Sequence, residues 1–261
     1  MYVAPPSLTW LNSILLFGTA FLAGGLNAVA GGGSFITFPT LIFTGIAPIT
    51  ANATNNTAMW VAGLASVGAY HQDLQTERRL MAILSIPSLI GGVIGSIALL
   101  YTRPDVFKQL IPYLLLVATT IFVFGESFKR WLQSVSQKSL SAPGSMLKLV
   151  LVQLIISIYG GFFGAGIGIL MLATLTFSGI KNIHVMNALK VVLATFVNGV
   201  AIIPFIFAGA IVWPQALLMS VGGSLGSYII ARFARKLRPE IVRRFVLIVA
   251  ISMTVYFFIT T

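Results

Sequence analysis

The sequence predicts an all-α, polytopic membrane protein built from two inverted-topology repeats of about five membrane segments each, with short broken helices. Its 261 residues are 57% hydrophobic and 8% charged, with a mean hydropathy of +0.98, whereas soluble domains carry about a quarter charged residues. Several apolar stretches, such as 80–101 and 241–260, reach the roughly 20 residues that a membrane-crossing helix needs. An internal repeat adds the division into two units.

The repeat has a period of about 135 residues and keeps its order along the chain. The matched runs are 44–46 with 178–180, 52–53 with 187–188, 91–96 with 222–227, and 103–108 with 238–243. Because five is odd, two five-segment units in series enter the membrane from opposite sides. We therefore predict a first repeat at 1–125, a cytoplasmic linker at 126–146 and a second repeat at 147–261.

Ten apolar segments separate between turn signals and charge clusters: 8–29, 34–47, 51–70, 80–101, 107–125, 147–163, 165–180, 184–208, 212–231 and 241–260. If all ten cross, thirteen Lys and Arg residues face one side and only Arg103 and Lys108 face the other. The positive-inside rule then places both termini on the outer side of the cell membrane. The alternative treats segments two and seven as re-entrant loops and divides the same charges 9 to 6, so the charges favour ten crossings.

The net charge of +11 does not indicate a nucleic-acid surface, because the basic residues lie in the predicted cytoplasmic loops. They are an orientation signal, supplemented by attraction to anionic lipids of the bilayer. The first basic residue is Arg78, so a cleavable signal peptide is not predicted. The absence of Cys, the presence of two His and the lack of a phosphate-binding loop predict no cofactor, no metal site and no enzyme activity.

Segments 34–47 and 165–180 are too short to span as simple helices, at roughly 21 to 24 Å against a core of about 30 Å. Each follows a glycine-rich break, which comprises Gly31, Gly32, Gly33 and Ser34 in the first half and Gly164, Gly166 and Gly168 in the second. Broken backbone inside a membrane persists only where protein or a cavity surrounds it. A helix that begins there directs free N–H groups at an anion. The glycine pairs 91/95 and 222/226, in contrast, are predicted to pack helices closely.

Lys190 is the only Lys, Arg, Asp or Glu well inside a predicted span, which marks it as a functional candidate. The alternative is that its side chain reaches back to the cytoplasmic interface. His184, Asn187, Lys190 and Asn198 share one face of the eighth segment, and His184 is interpreted as an edge residue. With the carboxylates in or beside loops, a carboxylate relay for Na⁺ or H⁺ is not supported, although backbone carbonyls can hold Na⁺.

Three asparagines, Asn52, Asn55 and Asn56, begin the third segment, and the repeat aligns Asn55 with Lys190. The sequence supports two interpretations of these amides equally. They contact the substrate, or they form hydrogen bonds between helices worth around 1 kcal/mol each.

The runs 30–41, 44–46 and 51–55 together resemble the first signature of the TauE/SafE sulfite-exporter family. Residues 160–168 and 187–190 look like a degenerate second copy, so the likeness covers nearly the whole chain. Where the family pattern usually has Thr-Ser, this chain has Thr54-Asn55. The resemblance implies an inner-membrane permease of bacterial type for sulfite, sulfonates such as sulfoacetate or related sulfur-containing anions, often moved outward.

The residues and the resemblance together predict a secondary transporter of small sulfur-containing anions that works by alternating access. The predicted substrate site comprises Gly31, Gly32, Gly33, Ser34, Asn52, Asn55, Asn56, Gly164, Gly166, Gly168, Asn187, Lys190 and Asn198. Two alternatives stay open. One is an anion channel or a permease for other small organic anions, and the other is a non-transporting membrane scaffold subunit.

Overall fold

The computed structural model describes residues 8–29, 31–69, 77–136, 145–175, 178, 180, 182–233 and 239–260. Regular structure within these ranges consists of ten α-helices. They are α1 (Trp10–Val29), α2 (Ser34–Phe43), α3 (Pro48–Ala69), α4 (Arg78–Tyr101), α5 (Pro104–Ser136), α6 (Ser145–Phe162), α7 (Ile167–Leu175), α8 (Ile183–Phe207), α9 (Trp213–Phe233) and α10 (Pro239–Thr260).

The outer surface of the helix bundle is apolar and its centre contains polar side chains. Trp10, Phe207 and Ile259 are 88%, 88% and 79% exposed, whereas Asn52 and Asn55 are fully buried. This distribution suits a lipid solvent, in which polar groups must find partners inside the protein. By length and composition α4 and α8, together with most of α1 and of α5, are able to cross a membrane. The prediction of an all-α, multi-pass membrane protein is confirmed.

The second and seventh helices are even shorter than the sequence indicated. α2 has ten residues and α7 has nine, which corresponds to about 15 and 14 Å at 1.5 Å per residue. The apolar run of the second segment continues to Ile46, but the helix stops at Phe43 because Gly45 adopts a φ of 89°, a conformation that ends helices. Neither helix by itself covers a core of about 30 Å.

Helix α5 is longer than its predicted span, since it continues to Ser136 instead of stopping at 125. Its 33 residues extend about 50 Å, well beyond the hydrocarbon core. The polarity of the sequence after 125 marks the end of the apolar stretch, and the helix simply continues past it. Of the predicted linker, residues 137–144 lie outside the described residues.

Helix packing is nearly symmetric when α1–α5 is exchanged for α6–α10. α1 packs on α9 as α6 packs on α4, and α3 packs on α9 as α8 packs on α4. The short helices follow the same rule, because α2 contacts α10 and α7 contacts α5. The two halves are therefore interleaved, with the first helix of each half packed on the fourth helix of the other.

Two pairs of helices at equivalent positions in the two halves, α3 with α8 and α5 with α10, run antiparallel. In the α3–α8 pair, Gly63 lies against Thr195, while Gly199, further along α8, lies against Trp60, earlier in α3. The α5–α10 pair behaves in the same way. Thr119 and Thr254 approach within 3.0 Å through their hydroxyls, and the rings of Tyr113 and Phe258 are 5.4 Å apart between centroids. Positions earlier in α5 thus meet positions later in α10.

The two predicted glycine pairs lie in the closest helix contacts of the bundle. A Cβ atom at Gly226 of α9 would overlap the carbonyl oxygen of Phe21 in α1, and one at Gly95 of α4 would overlap that of Ile158 in α6. At Gly91 the nearest atom would be the Cβ of Ser157, at 2.6 Å. Small residues allow this backbone approach, so the packing interpretation of these glycines is confirmed.

Candidate functional site

Each half of the chain is interrupted at the same point, after its first helix. The N–H of Gly31 donates to the carbonyl of Leu26 at 2.9 Å, and the N–H of Gly164 donates to that of Tyr159 at 3.3 Å. The two glycines have φ values of 72° and 79°, which is the left-handed conformation that closes the end of a helix. By this match Gly31 corresponds to Gly164.

The two breaks meet each other in the interior. A Cβ atom at Gly31 would lie 3.2 Å from the Cα of Gly168, and one at Gly168 would lie 3.3 Å from the Cα of Gly31. Gly31, which lies three residues before α2, and Gly168, in the first turn of α7, are therefore in direct backbone contact. Only residues without side chains permit this approach, which brings two helix N-termini, and their partial positive charges, to one place.

Asn27 organises the first break from the last turn of α1. Its Oδ1 accepts hydrogen bonds from the N–H groups of Gly32 at 2.9 Å and Gly33 at 2.7 Å. Its Nδ2 lies 3.3 Å from the Sδ of Met59 in α3. The side chain thus satisfies two backbone donors that the interruption of the helix leaves free.

Lys190 extends into the same region from α8 and is only 2% exposed. Its Nζ donates to the Oδ1 of Asn187 at 3.2 Å and to the backbone carbonyl of Asn27 at 3.3 Å. The alternative in which this side chain reaches back to the interface is therefore wrong. Within the part of the chain whose burial is described, Lys190 is the one buried side chain that carries charge. His184, one turn nearer the helix start than Asn187, is exposed, as expected for an edge residue.

A cavity of about 50 Å³ lies between the breaks, α3, α8 and α9. Its lining consists of Asn27, Gly31, Gly32, Ser34, Met59, Gly63, Ser66, Gly164, Gly166, Ile167, Gly168, Lys190, Val191, Ala194, Thr195, Asn198 and Ser227. These residues, all in the described ranges, include neither Asp nor Glu. The cavity therefore presents one cation and many hydroxyl, amide and backbone groups.

The structure brings eight of the thirteen predicted site residues to the cavity wall. They are Gly31, Gly32, Ser34, Gly164, Gly166, Gly168, Lys190 and Asn198. Five do not line it, namely Gly33, Asn52, Asn55, Asn56 and Asn187. Gly33 and Asn187 stand directly behind the wall, because Gly33 bonds to Asn27 and Asn187 bonds to Lys190.

The asparagines of α3 connect helices around the cavity. Asn52 donates through Nδ2 to the carbonyl of Phe162 at 2.9 Å, which fixes the end of α6. Asn55 accepts a hydrogen bond from Thr37 and donates to the Oγ of Ser34 at 3.2 Å, which ties α2 to α3. These contacts match the interhelical interpretation of the asparagines. Asn56 adjoins the second break, since a Cβ at Gly164 would lie 3.3 Å from its Oδ1.

Sequence reasoning missed Asn27, Ser66, Thr195 and Ser227 as lining residues. Asn27 offered a signal, since it is a polar residue in an apolar segment and lies four positions before Gly31. The hydroxyl residues gave none, because Ser and Thr are common in membrane helices as back-bonded residues. Indeed Thr195 bonds to the carbonyl of Val191 at 2.7 Å.

Two polar atoms of the lining have no partner inside the protein. The Oδ1 of Asn198 and the Oγ of Ser227 are buried without a hydrogen bond among the described residues. The ammonium of Lys190 has three protons and uses two of them. Buried polar groups are normally satisfied, so the cavity has unused capacity to bind a polar solute.

These features define a multi-pass α-helical membrane protein with a cavity, lined by both apolar and polar residues and containing a buried lysine, at the meeting point of two chain breaks. The chain belongs to the sulfite exporter TauE/SafE family, whose sequence model matches residues 16–257. The family resemblance noted in the sequence is thereby confirmed.

Relatives of this chain extend over almost its full length. A "Probable membrane transporter protein ORF9" of Sinorhizobium is 30% identical over 243 residues, which are 92% of this chain and 90% of the relative. A "Probable membrane transporter protein" of Haemophilus influenzae is 27% identical, covering 92% of each chain. A "Probable membrane transporter protein YfcA" of Escherichia coli K12 is 27% identical, with 92% of this chain and 87% of the relative covered. No solved structure matches the chain.

Proposed function

We propose that this protein is a secondary transporter that exports a small sulfur-containing anion, such as sulfite, through alternating access to the cavity at Lys190. The observation that carries the proposal is a buried ammonium in a cavity that no carboxylate of the described residues lines. The family and the names of its relatives support transport across a membrane.

The state of Lys190 favours an anionic substrate. Both partners of its Nζ are neutral oxygens, of Asn187 and Asn27, so hydrogen bonds are made but the charge has no counter-charge among the described residues. A buried charge without a counter-ion is costly, and leaving one unpaired costs roughly 3–5 kcal/mol. An anion that enters the cavity recovers part of this energy and also meets the N-terminal ends of α2 and α7.

The size of the cavity favours the smallest members of the substrate class. A water molecule needs roughly 10–15 Å³ of such volume, so about 50 Å³ corresponds to roughly three to five waters. A compact oxyanion such as sulfite fits this volume. A sulfonate with a carbon chain, such as sulfoacetate, requires the helices around the cavity to separate.

The two halves are proposed to be inverted repeats, each beginning with a helical hairpin that turns back inside the membrane. Three observations support this arrangement. The pairs α3–α8 and α5–α10 run antiparallel. In addition, α1 ends near the middle of α3 at the Asn27–Met59 contact, and α6 ends near the middle of α8 at the Gly160–Val197 contact. The two breaks also meet inside the helix bundle, where Gly31 lies against Gly168.

Such hairpins preserve the sidedness deduced from the charges. A helix pair that enters and returns leaves every following loop on the same face as two complete crossings would. The proposed topology thus keeps both termini outside and the basic loops in the cytoplasm. It also supplies a route to alternating access, because the interleaved halves can exchange roles when one hairpin moves against the other.

Flux into proteoliposomes tests the proposal. Purified protein is assayed with sulfite, sulfate, thiosulfate, sulfonates and carboxylates, with and without pH and Na⁺ gradients. We expect saturable transport of at least one sulfur oxyanion. Lys190→Met removes the buried charge, and a loss of about 3 kcal/mol of anion stabilisation lowers kcat/KM about a hundredfold or more.

Lys148→Met is the matched control, because Lys148 is an exposed lysine on α6 remote from the cavity lining. It should transport at the wild-type rate. If Lys190→Met inserts and folds as the wild type does and still moves the preferred anion at full rate, the assignment of Lys190 is wrong.

The two alternatives give different results in the same assay. A channel shows a flux that does not saturate and is never driven uphill by a gradient. A scaffold subunit moves no anion in liposomes but copurifies with one stoichiometric partner. Either result replaces the proposed carrier.

A further inference from the structure

The two chain breaks start alike but are completed differently. Gly31 and Gly164 make equivalent hydrogen bonds to the preceding helix, so positions 32 and 33 correspond to 165 and 166, and Asn27 corresponds to Gly160. In the first break the amides of Gly32 and Gly33 are both bound by the Oδ1 of Asn27. In the second, a glycine stands where that carboxamide would be.

The second break therefore has open donors. The backbone N–H groups of Ala165 and Gly166 donate no hydrogen bond to any described residue, although Ala165 is only 1% exposed. Gly166 lines the cavity directly. Two buried, adjacent amides at the start of a nine-residue helix form a seat for an anionic oxygen.

Independent features of the cavity point to a ligand at this seat. Lys190 approaches the second break, since a Cβ at Gly168 would lie 3.3 Å from its Cδ. Its ammonium has one proton free, and the hydroxyl of Ser227, which is 1% exposed, lines the cavity without a partner among the described residues. Lys190, Ser227 and Gly166 thus line the same small cavity, and the amide of Ala165 directly precedes that of Gly166.

Resting on the transport function proposed above, we infer that the Asn27 carboxamide is a built-in ligand that occupies the first break. The protein then binds a single substrate anion at the second break. There the amides of Ala165 and Gly166, the ammonium of Lys190 and the hydroxyl of Ser227 hold the oxygens of the anion. The two breaks thus provide two equivalent positions for an anionic oxygen, and the Oδ1 of Asn27 occupies the first of them.

Packing explains why the second seat stays open. A Cβ atom at Gly160 would overlap the Cδ1 of Ile167 and lie 3.0 Å from a methyl group of Val197. An asparagine at this position requires the Ile167 side chain to move, whereas glycine fits without any rearrangement. The backbone carbonyl of Asn27, which accepts from Lys190, links the filled seat to the open one and is displaced when the anion engages the ammonium.

The first test is Asn27→Ala, with sulfite binding measured by calorimetry in nanodiscs under anaerobic conditions. The wild type should bind one sulfite per chain. Removal of the carboxamide frees the amides of Gly32 and Gly33, so the variant should bind a second sulfite. Sulfite should also raise its melting temperature by more than it raises that of the wild type.

Asn27→Asp is the second variant, and it tests the inference without freeing the amides of Gly32 and Gly33. Its carboxylate still accepts from both glycine amides, so the variant should fold with an unchanged or higher melting temperature. The fixed negative charge competes for Lys190, and sulfite affinity should fall at least tenfold. Asn12→Asp is the matched control, because it makes the same substitution in α1 far from the cavity lining, and its sulfite affinity should equal that of the wild type.

The inference is overturned if folded Asn27→Asp binds sulfite within twofold of the wild type, or if folded Asn27→Ala keeps one site with unchanged thermal response. If Asn27→Ala does not fold, the comparison of the two aspartate variants decides. A wild-type protein that binds none of the panel anions refutes the proposed function instead, so the two failures are distinguishable.

Discussion

The contact between α1 and α9 gives a quantitative prediction about the packing that positions Asn27. A Cβ atom at Gly226 would overlap the carbonyl oxygen of Phe21, so Gly226→Ala forces the two helices apart. Overpacking of this kind costs roughly 1–3 kcal/mol. The substitution also gains up to about 1 kcal/mol, because alanine favours a helix over glycine.

A second glycine separates these two contributions. Gly18 lies inside α1, and a Cβ atom there would have no heavy atom within 4 Å outside its own helix, so Gly18→Ala has only the helix gain. The stabilisation from the higher helix propensity of alanine is common to both variants and cancels when their free energies of unfolding are compared. Gly226→Ala should therefore unfold with a free energy about 1–3 kcal/mol below that of Gly18→Ala.

The assay is reversible unfolding in mixed micelles, followed by circular dichroism and by sulfite binding. Gly226→Ala should also lose affinity for sulfite, because displacement of α1 disturbs the contact between Gly31 and Gly168 beside the second break. Equal stabilities for the two variants would refute the reasoning, since they would mean that the α1–α9 approach is looser than the structure has it.

Three further predictions concern the cavity, the asparagines and the topology. Ser227→Ala removes an unpaired lining hydroxyl, so the KM for sulfite should rise two- to tenfold, from about 0.5–1.5 kcal/mol per hydrogen bond, with no change in melting temperature. The control Ser220→Ala, which removes a buried hydroxyl bonded to Ala216 away from the lining, should leave KM unchanged, and equal KM values for the two variants count against the site. Asn55→Ala removes the hydrogen bonds to Ser34 and Thr37, so the free energy of unfolding should fall by about 1 kcal/mol. Transport should fall less than in Lys190→Met. An unchanged melting temperature contradicts the structural role of Asn55. Because the chain has no Cys, Thr102→Cys should react with an impermeant thiol reagent in intact cells and Lys148→Cys only after permeabilisation, and the opposite pattern reverses the topology.

The positions of the helices could be predicted well because they depend on local composition. Apolar length and glycine placement alone indicated that the second and seventh segments are short, and the structure confirms it with ten and nine residues. The boundaries were less accurate. Gly45 ends α2 through its backbone conformation, and α5 continues past the apolar stretch to Ser136 because helical hydrogen bonding does not require apolar side chains.

Only some of the residues that line the cavity were predicted, because a side chain can be assigned to the lining from the sequence only when its chemistry is unusual for its position. Lys190 stands out in the sequence, because a charge inside an apolar span has no local explanation. Asn55 and Asn198 are chemically alike in the sequence, but Asn55 bonds to α2 while Asn198 lines the cavity. The direction of a side chain around a buried helix depends on its neighbours, which the local pattern does not specify.

By itself the sequence predicted the membrane fold, the two glycine-rich breaks with their short helices, and Lys190 as a buried charge. Each of these follows from composition or spacing within a few tens of residues, where apolar length and the cost of a buried charge act directly. Only the tertiary structure decided that Asn27 closes one break and meets Lys190, 163 residues away. That contact exists because the first helix of each half packs on the other half, and no local periodicity encodes such a pairing.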